Sequence, residues 1–242
     1  LLCNIAQPNW GYITNFGKAH LEGFGSIQGV VKGKSELYDH LIDRKQKILI
    51  NGDDHKQIIL TKNYPITSFG IGDENNLQFI SQKNEYKTLQ LKFKETTFIS
   101  PLHGTYNSNN IAAAISFGYL FKVSLKEIKK AINTYQSTNN RSQQIRINDS
   151  LVIMDAYNAN PSSMEVALKA FQTIATLNSC VVLGDMLELG DTSKKEHEEI
   201  ILKCLQNKIQ NIHLVGPHFL DTNNLDSTIT KHKDVRTFLK FM

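Results

Sequence analysis

Lys34 stands on an apolar helical stripe, seven residues after Ile27 and in phase with Val30, Val31, Leu37, Tyr38 and Leu41. An ammonium there must reach out to solvent, pair with an acid or be chemically altered, because an unpaired buried charge is costly. In the altered case it would serve a metal. His20 precedes the same stripe in Ala19-His20-Leu21-Glu22-Gly23. A neutral imidazole at that place is either a metal ligand or a surface or capping residue.

Carboxamides cluster in Leu102-His103-Gly104-Thr105-Tyr106-Asn107-Ser108-Asn109-Asn110, which leads into an Ala-rich helix. Asn107 and Asn110 are one turn apart and can face one ligand. They either cap the helix or read a purine edge with a donor and an acceptor side by side. Further on, Asp155-Ala-Tyr157-Asn158-Ala-Asn160-Pro161 follows an apolar run. Asn160 as N-cap and Pro161 at the first helical position account for two of these residues. Asp155, Tyr157 and Asn158 are more polar side chains than a turn needs. Asp185, in the acidic loop Gly184 to Asp191, is solvated or touches substrate. His197, amid Lys and Glu, is expected to be solvated.

Two near-motifs are rejected. Gly23-Phe-Gly25-Ser-Ile-Gln-Gly29 misses the dinucleotide fingerprint by one residue of spacing. Gly29-Val-Val-Lys-Gly33-Lys34-Ser35 has three residues between its glycines where a phosphate loop needs four, and it lies inside a helical pattern. No other segment spells a phosphate loop.

These residues must be positioned by two α/β domains, a count that 242 residues allow. In the first, Tyr12 to Phe16 reads as a short buried strand, Ser26 to Ile42 as a helix and Ile48 to Asn51 as a strand. Ser68 to Ile99 reads as a small, mostly antiparallel sheet. Asn109 to Phe121 is a helix, and Ser124 caps another that runs through Tyr135. The polar stretch Gln136 to Gln144 is the expected boundary, giving domains 1–143 and 144–242. In the second domain Leu151–Met154, Cys180–Leu183 and Ile212–Val215 are continuous apolar runs separated by helices, the pattern of a parallel, doubly wound sheet. Ligands of such sheets lie beyond the carboxyl ends of the strands, where Asp155, Gly184-Asp185 and Gly216 fall.

Composition excludes little but points consistently. A net charge of +4 with scattered lysines gives no nucleic-acid stripe. No apolar run reaches the length of a membrane span. Cys3, Cys180 and Cys204 are too few and too far apart for a zinc site or a disulfide framework, with Cys180 and Cys204 read as core. A cytoplasmic address is expected.

Taken in order, Ile13-Thr-Asn15-Phe-Gly17-Lys-Ala-His20-Leu-Glu22-Gly-Phe-Gly-Ser26, then Lys34, His103-Gly104 with Asn107 and Asn110, Asp155 to Met164, and Leu183 to Gly190 resemble the Mur ligases. The last two blocks are similar to the type that joins D-alanyl-D-alanine to UDP-N-acetylmuramoyl-tripeptide. The resemblance covers nearly the whole chain. It implies part of a central ATPase domain, a mixed sheet with helices and a small antiparallel sheet, followed by a Rossmann-like parallel-sheet domain. It also implies a magnesium site at His20 and Lys34, both catalytic, with Lys34 as a carbamate that turns an ammonium into an anionic oxygen ligand.

The same resemblance puts Asn107 and Asn110 on the adenine side of ATP, Arg141 on its phosphates and Asp155 near its ribose. Tyr157, Asn158 and Asp185 would face ATP or the incoming dipeptide. The implied reaction makes an acyl phosphate and then a peptide bond in peptidoglycan precursor synthesis. UDP-MurNAc-tripeptide and D-Ala-D-Ala would be the substrates of a monomer. Tyr106 replaces a histidine common in relatives and gets no role. The family's phosphate loop and a metal-binding Glu would precede Leu1, and the last strand of the C-terminal sheet would be missing. The chain by itself is therefore expected not to ligate. Two other readings are a non-catalytic nucleotide-binding or scaffold remnant of the family, and a dinucleotide-binding oxidoreductase. The second lacks a Gly-rich turn between Asp155 and Pro161.

Overall fold

Where backbone groups find partners decides the strands of this chain as much as hydrophobicity does. The computed structural model describes residues 2–82, 89–102, 104, 106–223 and 226–242. The first elements are α1 (Leu2–Ala6), β1 (Trp10–Gly11), α2 (Leu21–Phe24), α3 (Ile27–Asp43), β2 (Lys47–Asn51), α4 (His55–Leu60), β3 (Thr67–Gly70) and β4 (Leu77–Gln82). Then come β5 (Leu89–Phe93), β6 (Thr96–Ser100), α5 (Asn107–Leu120), α6 (Leu125–Thr134), β7 (Gln143–Ile147) and β8 (Ser150–Met154). The last are α7 (Pro161–Gln172), β9 (Val181–Gly184), α8 (Ser193–Gln206), β10 (Ile212–Val215), α9 (Pro217–Leu220), β11 (Ile229–His232) and α10 (Val235–Phe241). By compactness, Leu1–Phe16 with Val31–Met154 forms one unit, and Gly17–Val30 with Asp155–Met242 a second.

The first unit holds a six-stranded sheet in the order β1-β2-β3-β4-β5-β6. The pairings from β1 to β4 are parallel and those from β4 to β6 antiparallel. The antiparallel sheet expected from Ser68 onward is thus the far half of a larger mixed one. Asn76 explains the change, because its Oδ1 accepts the Ser68 N–H at 2.8 Å. The turn therefore runs back along β3, and β4 sets out in the same direction. The core lies between this sheet (Leu49, Phe69, Phe79, Leu91, Phe98) and the Ile111–Ile115 face of α5 with Ile128 of α6. Ser124 caps α6, as expected, and Glu127 completes a capping box with it. Asn133 of the same helix accepts the Ile99 N–H at 3.1 Å, covering the edge strand β6.

Residues 12–16 are not a strand. The Ile13 N–H donates to Tyr38 Oη at 3.4 Å and the Asn15 carbonyl accepts from Lys34 Nζ at 2.8 Å, so two side chains of α3 take up this segment's backbone. Ile13 and Phe16 are buried all the same. The run Leu151–Met154 is also placed differently from the expectation. It forms β8 of an antiparallel ribbon with β7, turning at Asn148-Asp149, where Asn148 has φ 53°. Such a two-residue turn with a left-handed Asn is a hairpin signal that the apolar run obscures.

The second unit carries a three-stranded parallel sheet, β11-β10-β9. Its third strand is β11, Ile-Thr-Lys-His, too polar to stand out as a core strand. Ile200, Ile201, Cys204, Ile212, Leu214, Met186, Leu189 and Phe219 make the core. Burial pushes the Cys204 thiol up to about 12. Cys180, expected inside, is exposed just before the edge strand β9. His197, expected in solvent, is fully buried, for its Nδ1 bonds the Ser193 carbonyl at 2.7 Å and its Nε2 accepts the Met186 N–H at 3.0 Å.

Candidate functional site

In the first unit, the start of α5 gathers the residues expected to hold a nucleotide. Asn107 and Asn110 lie in its first turn, and Asn110 Nδ2 donates to Asn107 Oδ1 at 3.3 Å. Asn107 is buried and Asn110 exposed, so the pair runs from the protein outward. Four N–H groups at a helix start lack intrahelical partners and favour negative charge nearby. Tyr106, to which the sequence assigned nothing, bonds Ser142 across 2.6 Å, hydroxyl to hydroxyl. Gln144 Nε2 donates to the Pro101 carbonyl at 3.3 Å. These two bonds fasten the 139–144 segment to the approach of α5, and Arg141 with it. His103 lies outside the described residues.

Lys34 is half-buried on α3, and its ammonium donates to the Asn15 carbonyl rather than to an acid. Burial holds its pKa below the ordinary lysine value. A lowered pKa enlarges the neutral fraction, the form that can react with carbon dioxide or another electrophile. The near-phosphate loop Gly29 to Ser35 is inside α3, with its backbone groups in the helix.

In the second unit, His20 sits in a left-handed turn (φ 53°, ψ 40°) before α2, exposed, with Nδ1 paired to Glu188 Oε2. Glu188 is itself left-handed, at φ 60°. An imidazole beside a carboxylate suits a hard or borderline cation in donor type. Among the described residues no group of three or more His, Cys, Asp or Glu is arranged to hold one.

Asp155, Tyr157 and Asn158 are exposed between β8 and α7. Asn158 Oδ1 accepts the next residue's N–H at 2.9 Å. Asn160 caps α7 through a box with Ser163, and Pro161 opens the helix, as their types require. Asp185 is less open than a loop residue. Its carboxylate accepts the N–H groups of His218 at 2.9 Å and Phe219 at 3.0 Å, at the start of α9. Asp185 and Gly216 do lie at the carboxyl ends of β9 and β10, and there they tie the two strand ends together.

Against known proteins, the Mur ligase middle domain matches residues 1–118, and the Mur ligase, glutamate ligase domain matches residues 140–241. The chain is 31% identical over 220 residues to the UDP-N-acetylmuramoyl-tripeptide--D-alanyl-D-alanine ligase of Bacillus subtilis (strain 168), covering 89% of this chain and 48% of that protein. It is 28% identical over 227 residues to the ligase of the same name from Rickettsia prowazekii (strain Madrid E), covering 90% and 50%. A crystal structure of MurF from Acinetobacter baumannii superposes with a TM-score of 0.82 at 27% identity, over 98% of this chain and 53% of that one. The MurF ligase of Thermotoga maritima, solved in complex with ADP, shares the fold, with a TM-score of 0.80 at 20% identity over 99% and 56%. The chain spans about half the length of the curated relatives it matches.

Proposed function

The chain belongs to the Mur ligase family, and from that premise we propose that it is the middle and C-terminal part of an ATP-dependent ligase joining D-alanyl-D-alanine to UDP-N-acetylmuramoyl-tripeptide. The likeness to the Bacillus subtilis ligase supports this choice of substrates. The arrangement of Asn107, Asn110 and Tyr106-anchored Arg141 around one helix start is the observation that carries the nucleotide role. The two carboxamides read the adenine edge, and Arg141 meets the phosphates. Asp155 serves the ribose, while Tyr157, Asn158 and Asp185 face ATP or the dipeptide. For Asp185 this means contact through lone pairs not already used on α9, since a carboxylate offers about four. We place the domain division at 143/144, close to the start of the second matched stretch at residue 140, while by compactness the β7-β8 ribbon goes with the first unit.

His20 and Lys34 would hold the magnesium ion, Lys34 as its carbamate. The lowered pKa of Lys34 and the donor types at His20 and Glu188 support that fit. When bound, such an ion supplies positive charge against a transferring phosphoryl group. Carbamylation has its own readout. Carbon-13 bicarbonate should give a carbamate NMR signal that Lys34→Met lacks, and a signal that persists in this variant belongs to another amine. A cytoplasmic, monomeric protein fits the proposal, and no helix of the described residues is long and apolar enough to cross a membrane.

Titrating ADP into the 242-residue chain tests the nucleotide role. Side-chain amide signals of Asn107 and Asn110 should shift saturably; if both stay still at millimolar ADP, the assignment is lost. These 242 residues contain no phosphate loop, so the chain with ATP, UDP-MurNAc-tripeptide and D-Ala-D-Ala should release no ADP. Release above the no-enzyme rate overturns that expectation.

A further inference from the structure

Residues 17–25 lie within the stretch that matches the middle domain, yet they pack as part of the second unit. Besides the exposed His20–Glu188 pair, four attachments hold them there. The Lys18 N–H donates to Ser162 Oγ at 2.9 Å, and the Glu22 N–H donates to the Glu188 carbonyl at 3.0 Å. Leu21 packs against the Met186–Leu189–Ile200 core. The fourth attachment is ionic, with Lys18 Nζ 2.7 Å from Glu196 Oε1.

The ion pair differs in kind from the other three. Glu196 lies in the first turn of α8 and is only 6% exposed. Its Oε2 is buried with no hydrogen-bond partner among the described residues, so Lys18 carries most of the compensation for this carboxylate. The positive end of α8 helps to hold the charge. Removing one partner of such a pair leaves a desolvated charge, which costs far more than losing a surface pair. Seating the 17–25 loop and neutralising Glu196 are therefore one event. Two residues beyond Lys18, His20 holds a left-handed backbone, a conformation uncommon for a non-glycine residue.

We propose that Lys18 is a positioning residue that seats the His20-bearing loop on the C-terminal unit through its ion pair with Glu196. Its bearing on catalysis rests on the reading of His20 as a cation ligand, but the seating itself does not. No step of the proposed ligation uses Lys18, Ser162 or Glu196.

The experiment is amide hydrogen exchange on the 242-residue chain without metal, comparing a peptide over 17–25 with one over β2. NMR of the His20 imidazole accompanies it. Lys18→Met should speed exchange in 17–25 about tenfold or more while β2 stays unchanged, and should move the His20 ring signals. Lys18→Arg, which can still pair with Glu196, should restore both to within about twofold. If the buried charge left by Lys18→Met unfolds the chain, Lys18→Met with Glu196→Met removes it, and the loop should still come loose. A loop that stays seated in the double variant overturns the proposal, as does Lys18→Arg behaving like Lys18→Met. Broadening of the wild-type His20 ring signals by Mn2+ is a separate arm. Its absence removes the cation reading and leaves the seating result standing.

Discussion

The phenol of Tyr106 reaches Ser142 from a position 36 residues away in sequence, and with that contact Arg141 comes to the start of α5. Tyr106→Phe deletes this bond and keeps the ring. The 139–142 segment should exchange its amides faster, and ADP should bind about tenfold more weakly, in line with the loss of a partly buried hydrogen bond. Adenosine, which has no phosphate for Arg141 to meet, should bind unchanged. An equal loss for adenosine and ADP would give Tyr106 a general structural role instead. Calorimetric titration of both ligands into wild type and variant decides the matter. The contrast with Asn107 and Asn110 shows what a sequence exposes. Two carboxamides three apart at a helix start are a local pattern, and α5 brings them together as their spacing requires. Tyr106 and Ser142, like Met186 and His197, are partners through the fold. A histidine among lysines and glutamates looks solvated until the packing of α8 shows it inside.

Elements whose signals are local were readable in the same way. The capping boxes of α6 and α7 and the Asn160-Pro161 opening stand where their residue types put them. Strand partners were not readable. Leu151–Met154 has the composition of a buried parallel strand and forms a ribbon, whereas Ile229–His232 has the composition of a loop and completes the sheet. Pairing depends on which backbone groups meet, and a four-residue apolar run does not specify that. The knot joining β9, β10 and α9 gives an element-scale prediction. Gly216 has φ 128° and ψ 164°, a region essentially confined to glycine, and a Cβ there would lie 2.4 Å from Asp185 Cγ. Gly216→Ala should strain the backbone and push the carboxylate off the N–H groups of His218 and Phe219. The expected loss is about 2–3 kcal/mol, seen as faster exchange in β10 with β2 unaffected. A variant as protected as wild type would mean that the knot contributes little to the unit.

At the scale of the molecule, the two units should answer acid differently, because buried imidazoles concentrate in the second. Burial lowers the His197 pKa first of all, and the neighbouring His218 adds to this. The Ser193 carbonyl, Asp185 (3.8 Å from Nε2) and Glu196 act the other way without reversing it. The geometry agrees, since a proton added at Nε2 would point at the Met186 N–H that this nitrogen now accepts. His213 is lowered too, by burial and then by His232, whose Nε2 is 3.0 Å from its Nδ1. Only one hydrogen can occupy that gap. A depressed pKa means that the unfolded chain binds protons more readily than the folded one. Stability from these groups is therefore present above the unfolded histidine value of about 6.5 and drains as pH falls below it. The slope approaches about 1.4 kcal/mol per pH unit for each histidine charged only on unfolding. Trp10, the only tryptophan, is packed against Phe117 and Phe121 in the first unit and reports on it alone. Urea unfolding followed by Trp10 fluorescence should shift little between pH 7.5 and 5.5, while exchange protection in α8 and β10 falls steeply. His197→Gln, which keeps a donor and an acceptor without titrating, should flatten that fall. An unchanged slope in this variant would place the acid sensitivity on His213, beneath Phe238 and Phe241 of α10.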